Sequence, residues 1–404
     1  YRMGPLGWFA HEALRESAQT PEDAAANFGT LDIIASLQWV RDNIAAFGGD
    51  PGAVTLFGES AGGRNTASLL ASPLAAGLFH RAIVQSGAFD SYPLALAEGA
   101  PDASGNSARA IAARLGADSA EALRAVSLDA LYGAVEQRMA GSYEAPSVIA
   151  DGVVLPASPM REAFFSLDSF NAVPVITGVN RDEMKLFQIL DPRLVKRLFG
   201  VFIVARDQDF YDAVSDVGSR LWRIVALDEP ATTMTEAGHA DVFAYRFDWD
   251  EGGRFLFMDT SKVLGAAHAM EIPFVFSNFR LFGELDRVLF NRKNREGREA
   301  LAGAMGAYWA EFARAGDPGD GGRGLPVWPR WGEGAALMRL DSPAAGGPEA
   351  IAGADTLDAL IADIRNDARL DDAQRCGIAG SLGGWFVEQG KAMSAAFGCD
   401  GAQE

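Results

Sequence analysis

Residues 54–63 read Val54-Thr55-Leu56-Phe57-Gly58-Glu59-Ser60-Ala61-Gly62-Gly63, an apolar run that stops at a serine with a glycine two residues away on each side. In a chain with 45 glycines in 404 residues, GxSxG arises by chance about 0.2 times. The setting carries more weight than the five letters. An apolar strand enters the serine, and a helix-like segment follows from Gly62 to Ala71 until Ser72-Pro73 stops it. A sharp strand-to-helix turn thrusts a serine side chain out at the end of a sheet. Glycines are expected on both sides of it, because the adjoining strand and helix leave no room for side chains.

Upstream, Ile33, Leu37, Val40 and Ile44 are spaced by four, three and four, which predicts an amphipathic helix over 32–46. Phe47-Gly48-Gly49-Asp50-Pro51 ends it in a turn. Downstream, Ala82-Ile83-Val84-Gln85, Val173-Pro174-Val175-Ile176 and the run from Val242 to Phe247 read as buried strands. Alanine-rich stretches at 103–115 and 118–139 predict two or three helices with no strand between them, the pattern of a helical insertion. A long helix is expected from Arg298 to Ala315, loops at 319–325 and 342–354, and a loosely packed tail over 371–404. The serine on its strand-to-helix turn, with this alternation around it, predicts an α/β-hydrolase fold: a mostly parallel central sheet, helices on both faces and a helical insertion. Residues 1–404 are expected to form one such domain.

Composition narrows the partners. The chain is 49% hydrophobic and 22% charged, which suffices for a large core. A net charge of −19 argues against nucleic acid, whose phosphates require clustered Lys and Arg. No apolar run approaches the roughly 20 residues of a membrane-spanning helix. No glycine pattern of a phosphate-binding loop occurs in the right setting, and Cys376 and Cys399 have neither metal nor CxxC spacing, so no metal and no cofactor are expected. Those cysteines could clip the C-terminal tail as a disulfide or remain thiols; pairing is favoured and would suit a secreted or periplasmic protein.

A serine hydroxyl needs a base within reach and an acid to orient that base. Along an α/β-hydrolase the order is serine, acid, histidine. Of four histidines, His11 precedes Ser60 and His80 follows it too closely, leaving His239 and His268. His268 is preferred, because Gly265-Ala266-Ala267-His268-Ala269 is a small-residue loop from which an imidazole can reach out. Between serine and histidine, Val175-Ile176-Thr177-Gly178-Val179-Asn180-Arg181-Asp182-Glu183 supplies a strand, a turn and two carboxylates. On chemistry alone either Asp182 or Glu183 qualifies, and Asp182 also reads as a simple helix-start residue. Phe187, Met270, Phe274 and Phe276 suggest an apolar pocket, although aromatic residues of this kind more often fill a core.

Taken in order, these motifs resemble the type-B carboxylesterase and cholinesterase-like family. The segments that carry the resemblance are Tyr1 to Trp8, Asn27-Phe28-Gly29 with Leu37-Gln38-Trp39-Val40, Phe47 to Pro51 leading to Gly58 to Gly63, and Gly77 to Ile83 with Gln85-Ser86-Gly87. Phe312-Ala313-Arg314 with Gly316-Asp317-Pro318 and Trp328-Pro329 extend it. The resemblance implies a catalytic set of Ser60, Glu183 and His268 acting on small-molecule carboxylic esters. It also implies that Glu59 lies beside the pocket, that Ser86 supports the acid, and that the backbone N–H of Ala61 serves the oxyanion. The family's Gly-rich oxyanion loop would belong upstream of Tyr1, so this stretch alone is expected to be nearly inactive. Ile33 and Arg64 depart from the pattern without touching the triad. The alternative is a relative that keeps the fold for binding or adhesion and has lost the reaction.

Overall fold

A computed structural model describes residues 1–136, 146–332 and 334–399. The chain divides into two compact units, residues 1–174 with 236–239 and residues 175–235 with 240–404.

In the first unit, helix α1 (Phe28–Asn43) continues as a 3₁₀ turn, Ile44–Phe47, before Gly48 takes φ 84° and turns the chain. The buried stripe of α1 is Thr30, Ile34 and Leu37, whereas Ile33, Val40 and Ile44 are only half-buried. The apolar face is therefore rotated from the one the spacing suggested. Strand β1 (Thr55–Glu59) follows, then helix α2 (Ala61–Ala71) and strand β2 (Arg81–Gln85). The two strands pair in parallel from Thr55↔Arg81 to Glu59↔Gln85. Ser72-Pro73 ends α2 as expected, and Asn171 Nδ2 donates to the carbonyls of Leu69 and Ser72, satisfying acceptors that the helix end would otherwise leave open. The insertion is helical: α3 (Ala108–Leu115), α4 (Ala120–Arg124) and α5 (Leu128–Gly133) succeed one another without a strand. Residues 137–139 of that expectation lie outside the described residues.

The second unit is built on strand β3 (Val175–Asn180), which pairs in parallel with β4 (Val242–Phe247). β4 pairs in parallel with β5 (Ala336–Leu340), and β5 pairs antiparallel with β6 (Glu349–Ala352). Every residue of β3 is buried, and so is every residue of β4 except Arg246, as expected of parallel strands covered on both faces. Gly178 has a reason to lack a side chain, since a Cβ there would overlap the Tyr245 ring on the neighbouring strand. The loop expected over 342–354 contains β6, whose Glu-Ala-Ile-Ala sequence is mostly exposed and lacks the apolar run of an inner strand. Helix α6 (Gln208–Arg223) covers the sheet, and α7 (Arg295–Ala315) starts three residues earlier than its apolar pattern. Among the described residues no helix is long and apolar enough to cross a membrane.

The C-terminal tail is not loose. Helices α8 (Leu357–Asn366), α9 (Asp372–Leu382) and α10 (Val387–Phe397) bury Leu360, Ile364, Ile378, Leu382 and Met393 against Val217, Leu221 and Met184. A capping box at Asp371 and Gln374 starts α9. Cys376 and Cys399 form a disulfide across the α9–α10 hairpin.

Candidate active site

The serine turn lies in the first unit. Ser60 has φ 57° and ψ −115°, a backbone conformation that a residue with a side chain adopts only when its surroundings impose it. Two hydrogen bonds impose it here: Ser60 N–H donates to Gln85 O at 2.9 Å, and Arg64 N–H donates to Ser60 O at 2.9 Å. The flanking glycines are not equivalent, contrary to the expectation of crowding on both sides. A Cβ at Gly58 would overlap the Gly62 carbonyl, and one at Gly63 would come within 2.8 Å of Gln85 O and of Gly87 Cα. A Cβ at Gly62 would meet nothing within 4 Å. It is the backbone of Gly62 that forbids a side chain at Gly58. Ala61 opens α2 and is exposed, so its N–H belongs to the helical turn whose donors lack intrahelical acceptors and carry the positive end of the dipole. Glu59 is half-buried at the end of β1, and Ser86 is fully buried with φ 46° just after β2.

Glu183 and His268 lie in the second unit, and there they meet. His268 Nδ1 and Glu183 Oε2 are 2.6 Å apart, with both residues buried. A carboxylate only accepts, so the ring must donate through Nδ1–H, which leaves Nε2 as its acceptor or basic nitrogen. The other oxygen, Oε1, accepts the backbone N–H of Asn180 at 2.7 Å. The loops that carry the two side chains are stitched together as well. Asp182 N–H donates to Ala266 O at 3.0 Å, Ala266 N–H to Asp182 Oδ2 at 3.0 Å, and His268 N–H to Glu183 O at 3.4 Å.

Asp182 thus has a different task from its neighbour. It pairs with Arg181 at 2.7 Å and Lys185 at 3.3 Å, and these cations hold its carboxyl below the usual carboxylate range despite the upward pull of burial. Gly265 lies against it: a Cβ there would overlap Asp182 Oδ2, and its φ of 55° suits glycine. The small residues before His268 therefore let the histidine loop close onto the acid loop.

Two further residues of this cluster escaped the sequence reading. Glu271 is fully buried, and burial, followed by the charge of Glu183, pushes its carboxyl up. Asn180 Nδ2 donates both to Glu271 Oε2 at 2.6 Å and to Ala267 O at 2.8 Å, which ties the second carboxyl into the histidine loop. A glutamate three residues after the histidine was the available signal, but its closeness to Glu183 depends on the turn between them. The ring of His268 rests on Phe187, at 5.3 Å between centroids, and on Trp222, at 4.8 Å. Of the apolar candidates, Phe187 adjoins the histidine, Met270 and Phe274 are core, and Phe276 is exposed.

The remaining histidines are held by backbone groups. His11 Nδ1 accepts from Ala13 N–H at a helix start, His80 Nδ1 accepts from Val54 N–H at 3.2 Å, and His239 Nε2 lies 2.8 Å from Val173 O beside the Phe170 ring.

The model of the carboxylesterase family matches residues 1–209 and 190–347. The chain belongs to the carboxylesterase family. Its relatives include the para-nitrobenzyl esterase of Bacillus subtilis (strain 168), 32% identical over 297 residues that make up 69% of this chain and 56% of the relative. Mouse liver carboxylesterase 1 is 37% identical over 203 residues, 45% of this chain and 33% of that protein. The chain thus spans about half the length of the bacterial relative and a third of the mammalian one. Among solved structures, the Geobacillus stearothermophilus carboxylesterase EST55 is similar with a TM-score of 0.63 and 29% identity, over 87% of this chain and 72% of that one. A PNB esterase structure gives 0.64 and 27%, over 87% and 70%. The fold of this carboxylesterase-family chain is the α/β-hydrolase fold, with a mostly parallel sheet and helices. Residues 348–404, which include the disulfide hairpin, lie beyond the family match.

Proposed function

We propose that this protein hydrolyses small-molecule carboxylic esters through an acyl-enzyme, with Ser60 as nucleophile, His268 as base and Glu183 as the acid that orients it. The observation that carries the reading is the buried 2.6 Å Glu183–His268 couple in a chain whose serine sits on a strained strand-to-helix turn. Ser60 Oγ attacks the ester carbonyl carbon as His268 Nε2 takes its proton. The C–O bond to the alcohol then breaks as the imidazolium returns that proton to the leaving oxygen. Water, deprotonated by the same nitrogen, attacks the acyl carbon; the bond from that carbon to Ser60 Oγ breaks as the imidazolium returns the proton to Oγ, and the acid is released. Glu183 stabilises the imidazolium in both halves, and Ala61 N–H is one donor to the oxyanion. Glu59 adds negative charge beside the serine. Family membership, with relatives named as carboxylesterases, supports the substrate class.

The test is Ser60→Ala. The variant is expected to lose hydrolysis of p-nitrophenyl acetate and covalent labelling by a fluorophosphonate, with an unchanged unfolding midpoint. Labelling that persists at another residue would overturn the assignment. A wild-type protein that folds and yet neither hydrolyses esters nor reacts with the probe would mark a binding protein on a hydrolase fold.

A further inference from the structure

The C-terminal hairpin reaches the catalytic histidine through an aromatic relay. Its connection, Gly383-Gly384-Trp385-Phe386, runs between α9 and α10. Trp385 packs against Phe187 at 4.8 Å between centroids, its ring tilted by 53°, and lies 6.1 Å from Trp222; these are the two rings on which the His268 imidazole rests. Phe386 turns the other way, into the core, and packs edge-on to Trp222 at 6.3 Å. Trp385 nevertheless remains 53% exposed. A tryptophan held by two aromatic neighbours on one side and open on the other is an unusual use of the largest apolar side chain, because burying that open side would be worth more to the fold than leaving it wet.

Phe187 and Trp222 thus flank His268 and Trp385 extends them outward as a continuous wall, and this open member comes from a segment outside the family match. The disulfide supplies the rigidity such a wall needs. Gly383 and Gly384 give the connection wide conformational freedom, and the Cys376–Cys399 bond closes the opposite end of the hairpin, so that α9 and α10 stay side by side and the connection between them has little room to move.

We infer that Trp385 is a specificity-determining residue that stacks against an aromatic alcohol group of the ester, and that the Cys376–Cys399 disulfide holds it in place. The inference rests on the proposed ester hydrolysis. The alcohol side is assigned because His268 returns the proton to the departing alkoxide, so the group attached to that oxygen leaves along the imidazole and past the rings that adjoin it. A planar aromatic group meets a preformed stacking partner there; a short alkyl group does not reach it.

The experiment compares kcat/KM for benzyl acetate and ethyl acetate, with methyl benzoate as an acyl-side control, in the full chain and three variants. Expressing each rate relative to wild type cancels the intrinsic reactivity of the esters. Trp385→Ala is expected to lower benzyl acetate turnover about 5- to 10-fold, chiefly through KM, while ethyl acetate and methyl benzoate stay within about twofold. Trp385→Phe should restore most of the loss. Cys376→Ser/Cys399→Ser should lower the benzyl-to-ethyl ratio at least twofold in the same direction. Equal changes for benzyl and ethyl esters in Trp385→Ala, or none, would overturn the specificity role. An unchanged ratio in the double-serine variant would overturn the anchoring role. If Trp385→Ala fails to fold, Trp385→Leu gives the same test with more of the volume kept. Fluorophosphonate labelling of Ser60 is run on every variant: it stays at the wild-type rate if only the wall has changed, whereas failure of the underlying hydrolase reading shows as absent labelling in wild type as well.

Discussion

Replacing Glu183 by Gln changes one atom of the buried couple, and the structure dictates how the new amide must sit. Glu183 Oε1 accepts the Asn180 backbone N–H at 2.7 Å, a donor that only an oxygen can satisfy. The amide oxygen of Gln is therefore fixed at that position and its NH₂ faces His268 Nδ1, where the carboxylate oxygen stood at 2.6 Å. An NH₂ group requires an acceptor, so Nδ1 must give up its hydrogen and the imidazole proton moves to Nε2. On the proposed mechanism, the nitrogen that should take the serine proton is then already protonated, and no carboxylate charge is left to stabilise the imidazolium. In the serine-protease case this tautomer error costs about 10⁴-fold in kcat, and a loss of about that size is expected here. Stability should not follow activity. Both hydrogen bonds survive in the Gln variant, and Glu271 no longer faces a second charged carboxylate, so the unfolding midpoint should equal or exceed that of wild type. Steady-state hydrolysis of p-nitrophenyl acetate, thermal denaturation and ¹⁵N shifts of the His268 ring report the three quantities. A kcat within about tenfold of wild type in a folded Glu183→Gln protein would refute the orienting role. Loss of activity with Nδ1 still protonated would refute the tautomer argument.

The two glycines around the serine should respond in opposite ways. Gly58→Ala drives a Cβ into the Gly62 carbonyl and is expected to cost about 2 kcal/mol or more together with fluorophosphonate labelling, whereas Gly62→Ala enters open space on a helix and should be neutral to slightly stabilising in urea titrations. Equal destabilisation by both would contradict the packing described. Asp228 gives a pH signature. It is buried beside Arg223 at 2.9 Å, and burial outweighs that partner and lifts its carboxyl from 3.8 to about 6. A carboxyl raised on folding contributes stability that is complete below about pH 4 and lost as pH rises through about 6. Relative to Asp228→Asn, wild type should thus lose on the order of 3 kcal/mol between pH 4 and pH 7. A stability difference that stays flat across that range would show that the buried carboxylate is not the cause.

The parts of this molecule that are local in sequence were legible there. β1, α2, β2 and α7 follow from apolar runs, from Ser72-Pro73 and from Gly316 after the last turn, each of which acts within a few residues of itself. The turn at Ser60 was legible for the same reason, as was the loop of small residues before His268. The edge strand β6 was not, because an exposed strand carries no buried alternation and is defined by its partner β5. The tail read as loose because α9 and α10 have scattered apolar residues that gain a common face only when Met184, Val217 and Leu221 arrive from elsewhere in the chain.

The division of labour between the two acidic neighbours shows the limit most clearly. Sequence by itself placed two carboxylates after a strand and a histidine after small residues, which was enough to predict the chemistry but left Asp182 and Glu183 interchangeable on chemical grounds. The family resemblance favoured Glu183, and the physical reason is supplied by the tertiary structure. It turns one carboxyl toward Arg181, Lys185 and the Ala266 N–H and the other toward the imidazole. It also brings in Asn180, Glu271, Trp222 and, through a disulfide hairpin, Trp385. The physical reason is range: backbone propensity and side-chain spacing act over one or two turns of chain, whereas orientation, desolvation and ring stacking are set by groups that become neighbours only when distant segments pack.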